Sequence, residues 1–156
     1  MVNEGMFTSK KQDWRTPKEV FDFLNRRFNF TLDACADSNN ALCKNYYSKE
    51  DSCLSHGWSG AVFMNPPYGR EIIRFTRKAI LEHISGCKKI VCLLPARTDT
   101  KWFYEIAAHA EEIVFLSGRL RFSEGGSAPF PSVIVILGDR ERIIQFESLE
   151  KLKLYY

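Results

Sequence analysis

Ala61-Val62-Phe63-Met64-Asn65-Pro66-Pro67-Tyr68-Gly69 is the stretch from which the rest of this 156-residue chain is read. Four consecutive apolar residues describe a short strand buried on both faces. The two prolines stop it, because neither donates a ladder hydrogen bond and each fixes its own φ. The strand therefore ends at Asn65, and a polar amide, two rigid residues and an aromatic ring are presented at its carboxyl end. Open α/β sheets hold their ligands at that edge.

The chemistry this tetrad suits is methylation of an exocyclic amino group. An arylamine such as adenine N6 is a poor nucleophile, since its lone pair is delocalised into the ring. Acceptors arranged around the nitrogen pull it towards a tetrahedral shape and localise that lone pair for attack on an electrophilic methyl. The side-chain oxygen of Asn65 and the carbonyl of Pro66 are two such acceptors, and the prolines hold them aimed in advance. Tyr68 offers a π face on which a planar base can stack. No general base is required before attack, because the proton can leave once the nitrogen is positive. In an arbitrary loop the same four residues would be only a turn that ends a strand. A buried strand before them and an amphipathic helix after them bring the chemical reading level with that of a turn.

On the amino-terminal side, Trp14-Arg15-Thr16-Pro17 opens a helix with Thr16 as N-cap and Pro17 at the first helical position. Val20, Phe21, Leu24 and Phe28 share one face. Phe30-Thr31-Leu32 then forms a short strand followed by Asp33-Ala34-Cys35, a carboxylate and small side chains that permit close approach to the backbone. No GxGxxG dinucleotide fingerprint is present. The segment from Asn45 to Leu54, containing Tyr47 and Asp51, reads as solvated loop with room for a second short strand.

On the carboxyl-terminal side, a helix spans about Arg70 to Ser85, with an apolar arc opposite Arg70, Arg74, Arg77 and Lys78. His83 sits at the edge of the apolar arc as a core-boundary residue rather than a ligand. Ile90 to Leu94 is a further buried strand ended by Pro95, with Arg97 and Asp99 in the loop beyond it. A helix around Phe103 to Ala110 and a strand over Ile113 to Leu116 follow. Gly118 to Ser132 reads as a long hairpin loop, so the strand Val133 to Leu137 should run antiparallel to its predecessor. The tail from Asp139 to Tyr156 fits either a helix or an edge strand. Residues 1 to 12 read as a mobile arm.

Composition bounds the class. Apolar residues make up 45% and charged residues 26%, as expected of a soluble globular domain. The sequence shows neither an apolar run of membrane-spanning length nor a signal peptide, so a cytoplasmic location is expected. Five cysteines, odd in number and without a CxxC pair, argue against a disulfide framework and a structural metal site. A net charge of +3 permits a polyanionic partner without demanding one.

Taken together, DWRTP, TLDACAD, NYYSKEDSCL, FMNPPYG, LLPARTDTKW, and SGRLRF followed by APFPS resemble the phage-type DNA N6-adenine methyltransferases, the Dam family of bacteriophages and prophages. The resemblance covers Asp13 to Leu137. It implies an α/β, three-layer, Rossmann-like methyltransferase fold dependent on S-adenosylmethionine. The sheet would be mostly parallel with a reversed last strand, in one compact domain with no separate target-recognition domain. It further implies that Asn65, Pro66, Pro67 and Tyr68 are catalytic. Trp14, Thr16 and Pro17 would flank the methionine end of the cofactor. Asp33, Ala34 and Cys35 would lie beside it, with the carboxylate paired to the cofactor ammonium, and Tyr47 and Asp51 would meet its adenine. Arg70, Arg74, Arg97, Arg119, Arg121 and Phe130 would contact double-stranded DNA, with Phe130 wedging into the duplex. A monomer that needs no metal is expected. A methyltransferase acting on a glutamine side-chain amide or on RNA, and a non-catalytic DNA-binding relative, are the alternatives. All catalytic readings require Asn65 and Asp33 at neighbouring strand tips.

Overall fold

The computed structural model describes residues 14–122 and 126–148. The expected arm at residues 1 to 12, the end of the tail and residues 123–125 of the Gly118 to Ser132 loop lie outside them. The first element, α1 (Lys18–Phe28), buries Val20, Phe21 and Leu24 and is closed by Asn29, whose φ of 50° is left-handed. Its N-cap is Pro17, with no side-chain cap bond, so Thr16 does not cap the helix as the sequence suggested. The Thr16 hydroxyl has another partner, described below.

β1 (Leu32–Asp33) is followed by a 3-10 turn at Cys53–Ser55, then by β2 (Ala61–Met64) and α2 (Ile72–Ile84). β3 (Lys89–Pro95), α3 (Lys101–Ala108), β4 (Glu112–Ser117), β5 (Ser132–Leu137) and β6 (Ile143–Ser148) complete the order. The possible second strand near Asn45 reduces to a single bridge between Asp33 and Tyr46. The described part of the tail, up to Ser148, forms an edge strand, β6.

The six strands form one sheet in the order β1-β2-β3-β5-β4-β6. β1, β2 and β3 are parallel neighbours, whereas β5 is antiparallel to both β3 and β4. β6 is parallel to β4, so the reversed strand is the penultimate one. Because β5 alone is reversed, the carboxyl ends of β1 through β4 share one edge of the sheet.

The core lies along β2, β3 and β5. Phe63, Leu93, Leu94 and Val133 are essentially sealed from solvent. α1 covers the face on which Phe63 projects, with Phe21 meeting it edge-on at 5.3 Å. Truncating such a ring to alanine costs about 3–5 kcal/mol, which makes this contact one of the main clamps of α1 on the sheet. α2 and α3 pack on one another and are tied at their surfaces by Arg77 and Glu105. No helix among the described residues is long and apolar enough to cross a membrane.

Candidate active site

β2 stops at Met64, one residue before the prolines, and delivers Asn65 to the shared edge. The register pairs Asp33 with Phe63, and the Ala34 amide donates to the Phe63 carbonyl at 2.9 Å. Asn65 therefore stands at the tip of the strand that neighbours Asp33, as the sequence reading requires.

The Asn65 amide nitrogen donates to the Trp14 carbonyl at 2.6 Å and to the Thr16 hydroxyl oxygen at 2.9 Å. Its oxygen, Oδ1, is buried and has no hydrogen-bond partner among the described residues. Buried acceptors are rarely left this way, because desolvation without a compensating bond is costly. The other such side-chain atom among the described residues is the Ser132 hydroxyl, which pairs in register with Pro95 at the same edge.

Tyr68 is buried. Its hydroxyl donates to the Leu93 carbonyl at 3.2 Å, and burial pushes its pKa far up, so it stays a neutral donor. Its ring meets Phe130 edge-on at 5.4 Å, and Phe130 in turn meets Trp14 at 5.3 Å. Phe122 packs on Trp14 at 5.3 Å as well. An aromatic cluster thus stands beside Asn65, built from the motif, the amino-terminal segment and the β4–β5 connection. Phe130 is 7% exposed, so in this structure it lines the site rather than projecting as a wedge.

Asp33 is buried with its two oxygens accepting from the Cys35 and Leu42 amides at 3.3 and 3.2 Å. Burial raises its pKa, and the two amides pull it only partly back. Ala34 is buried beside it, while Cys35 is half-buried with its sulfur 3.9 Å from that of Cys53. The Cys53 contact and then burial hold the Cys35 thiol well above its usual range, which makes it a poor nucleophile.

Further along the same edge, the Tyr47 amide donates to the Asp33 carbonyl and the Tyr47 carbonyl accepts from Ala36. The Tyr47 ring stacks on His56 at 4.8 Å with the planes 4° apart. His56 Nε2 lies 2.6 Å from Asp51, whose side chain is exposed. Nothing in the local sequence singles out His56. An aromatic platform with an exposed carboxylate next to it suits a flat, hydroxyl-bearing ligand group such as a nucleoside, and Asp33 supplies a buried carboxylate short of positive charge. These donors and rings fit the methyl donor that the resemblance implies.

The arginines divide into two sets. Arg74 pairs with Glu71 at 2.6 Å and Arg77 with Glu105 at 2.8 Å, so the stripe on α2 is largely neutralised locally. Arg70, Arg97, Arg119 and Arg121 are exposed and form no ion pair with another described residue. Arg119 and Arg121 alternate with buried Leu120 and Phe122, and the Ala128 amide donates to the Leu120 carbonyl. This alternation is the signal that could have identified the extended backbone leading to the Arg121–Ser127 bridge within what was read as a long hairpin loop. Among the described residues, no group of three or more His, Cys, Asp or Glu side chains is placed to hold a metal.

Comparison with known proteins bears on the same residues. A family model described as DNA N-6-adenine-methyltransferase (Dam) matches residues 5–141. A DNA N-6-adenine-methyltransferase of Escherichia phage T1 is 40% identical over 110 residues, which is 69% of this chain and 45% of that protein. One from Haemophilus phage HP1 is 37% identical over 120 residues, 75% of this chain and 69% of that protein. A putative methyltransferase, YfdM, of Escherichia coli K12 is 46% identical over 63 residues, 35% of this chain and 69% of that protein. The match thus spans less than half the length of the phage T1 relative.

Proposed function

Since this chain belongs to the DNA N-6-adenine-methyltransferase (Dam) family, we propose that it transfers a methyl group from S-adenosylmethionine to N6 of an adenine turned out of DNA. The observation that carries this reading is the lone acceptor of Asn65, buried and unpaired at the tip of the strand beside Asp33. An amino group brings two N–H donors, so Oδ1 and the Pro66 carbonyl can take one each and draw the nitrogen lone pair towards the methyl. Turning the base out of its stack costs a few kcal/mol, offset by burial against Tyr68 and the aromatic cluster around it.

On this reading the sheet is the Rossmann-like sheet of the methyltransferase class. Asp33, Tyr47 and Asp51 hold the cofactor, with Asp33 facing its ammonium, Tyr47 its flat base and Asp51 its polar edge. Trp14 closes the side between cofactor and target. The cofactor supplies an electrophilic methyl on a sulfonium. The chain's own task is to orient the acceptors and exclude water. Arg70, Arg97, Arg119 and Arg121 meet DNA phosphates along the shared edge.

The test is to incubate the protein with methyl-labelled cofactor and separate DNA, RNA and protein pools. Label in DNA alone is expected. Label in RNA or protein alone would transfer the same chemistry to another owner of a planar amino group.

A further inference from the structure

We propose that Thr16 is a positioning residue that, with the Trp14 carbonyl, holds both amide protons of Asn65 and so keeps its oxygen turned to the target, and this rests on the reading that Asn65 accepts from the target amino group. The two ends of an asparagine amide have nearly the same shape, and only hydrogen bonding distinguishes them. The Trp14 carbonyl is an acceptor only, so an N–H of Asn65 must face it across their 2.6 Å contact. The Thr16 oxygen takes the second N–H at 2.9 Å. With both amide protons engaged, Oδ1 is the atom left over, and it is the unpaired one. Turning the amide over would set Oδ1 against the Trp14 carbonyl and present N–H groups to an amino group that has only N–H groups to offer.

Thr16 is free for this task because the helix it precedes makes no use of it. Pro17 occupies the cap position, and no side chain caps α1. A threonine preceding a helix ordinarily spends its oxygen on the first turn. Here the oxygen reaches 49 residues along the chain to the motif that follows β2. The acceptor is thereby oriented before the target arrives, and no reorganisation is needed during reaction.

The experiment compares Thr16→Val, which keeps the shape and removes the acceptor, with Thr16→Ser, which keeps the acceptor. Turnover, KM for DNA and the equilibrium affinity for S-adenosylmethionine are measured for each, and both changes are repeated in an Asn65→Ala background under single-turnover conditions. Thr16→Val is expected to lower kcat by about 10- to 100-fold, the effect of leaving one buried donor unpaired. KM and cofactor affinity should be unchanged, Thr16→Ser should restore kcat, and Thr16→Val should add nothing once Asn65 is alanine. Unchanged kcat with lost cofactor affinity would make Thr16 a cofactor contact and overturn the proposal. Equal loss in the Ser and Val variants, or a full Val effect without Asn65, would overturn it too. The side-chain amide resonances of Asn65 give a readout that does not depend on activity. They should shift in Thr16→Val and stay in place in Thr16→Ser even if the wild-type protein proves to methylate something other than DNA, and an unshifted amide in Thr16→Val would sink the proposal alone.

Discussion

Arg27 on α1 and Glu112 at the start of β4 form a two-pronged ion pair across the sheet, with Nη1–Oε1 at 3.0 Å and Nη2–Oε2 at 2.5 Å. Gln145 of β6 adds a third bond to the same carboxylate at 3.0 Å. The pair fixes the far end of the helix whose near end carries Trp14 and Thr16 to Asn65. Arg27 is 48% exposed and Glu112 only 4%, so the cost of breaking the pair falls on the stranded carboxylate. Arg27→Ala should lower unfolding stability by about 1–3 kcal/mol, and Glu112→Gln in the same chain should recover part of it. Denaturant titration of the two variants checks this.

At the same end of β4, Lys89 and Glu111 pair at 2.7 Å, and the Arg140 amide adds a bond at 3.1 Å. Burial pushes the Glu111 carboxyl up, but the Lys89 ammonium and the Arg140 amide outweigh it and leave the pKa below its ordinary value of 4.5. A lowered folded pKa gives stability that is complete above the ordinary carboxylate range and fades as pH falls through the folded value. A Cβ at Gly138 would sit 1.9 Å from Glu111 Oε2 and 2.2 Å from Lys89 Nζ. Gly138→Ala should therefore push the pair apart at a cost of about 1–3 kcal/mol. It should also flatten the fall in stability on the acid side, as measured by thermal melts across pH.

Tyr68 has separable parts. Tyr68→Phe removes the bond to the Leu93 carbonyl and keeps the ring, so it should cost about 1 kcal/mol of stability and leave most of the turnover. Tyr68→Ala removes the ring and should abolish measurable turnover. A large loss of kcat in the phenylalanine variant would assign the hydroxyl a part in the reaction.

The two sets of arginines should separate by salt. Replacing Arg119 and Arg121 by alanine should weaken DNA binding and reduce the slope of log affinity against log salt by about two. Arg77→Ala should leave the slope unchanged, because Glu105 already holds that guanidinium through two bonds of 2.8 and 2.9 Å. Binding isotherms at several salt concentrations make the comparison.

The strands and helices flanking the motif were legible because local patterns carried them. The apolar run before the prolines, the run from Ile90 and the period of α2 each lie within one or two residues of the observed bounds. Thr16 was misread because its local context is that of a cap, and only tertiary folding brings Asn65 to its oxygen. β6 was undecidable because its exposed Ile143 and Ile144 give no clean alternation, and its pairing with β4 supplies what the sequence lacked. Phe122 and His56 were hidden for the same reason, and Phe130, read from the sequence as a wedge, packs instead among rings of other segments. Their meaning comes from rings contributed by distant segments, which no window of the chain contains.

The most direct test is mass spectrometry of nucleosides released from DNA after incubation with S-adenosylmethionine and either the wild-type protein or Asn65→Ala. The account predicts N6-methyladenine with the wild type and at least about a hundredfold less with the variant, whose fold is intact by thermal melt. Methyl on cytosine instead, or undiminished N6-methyladenine with Asn65→Ala, would contradict it.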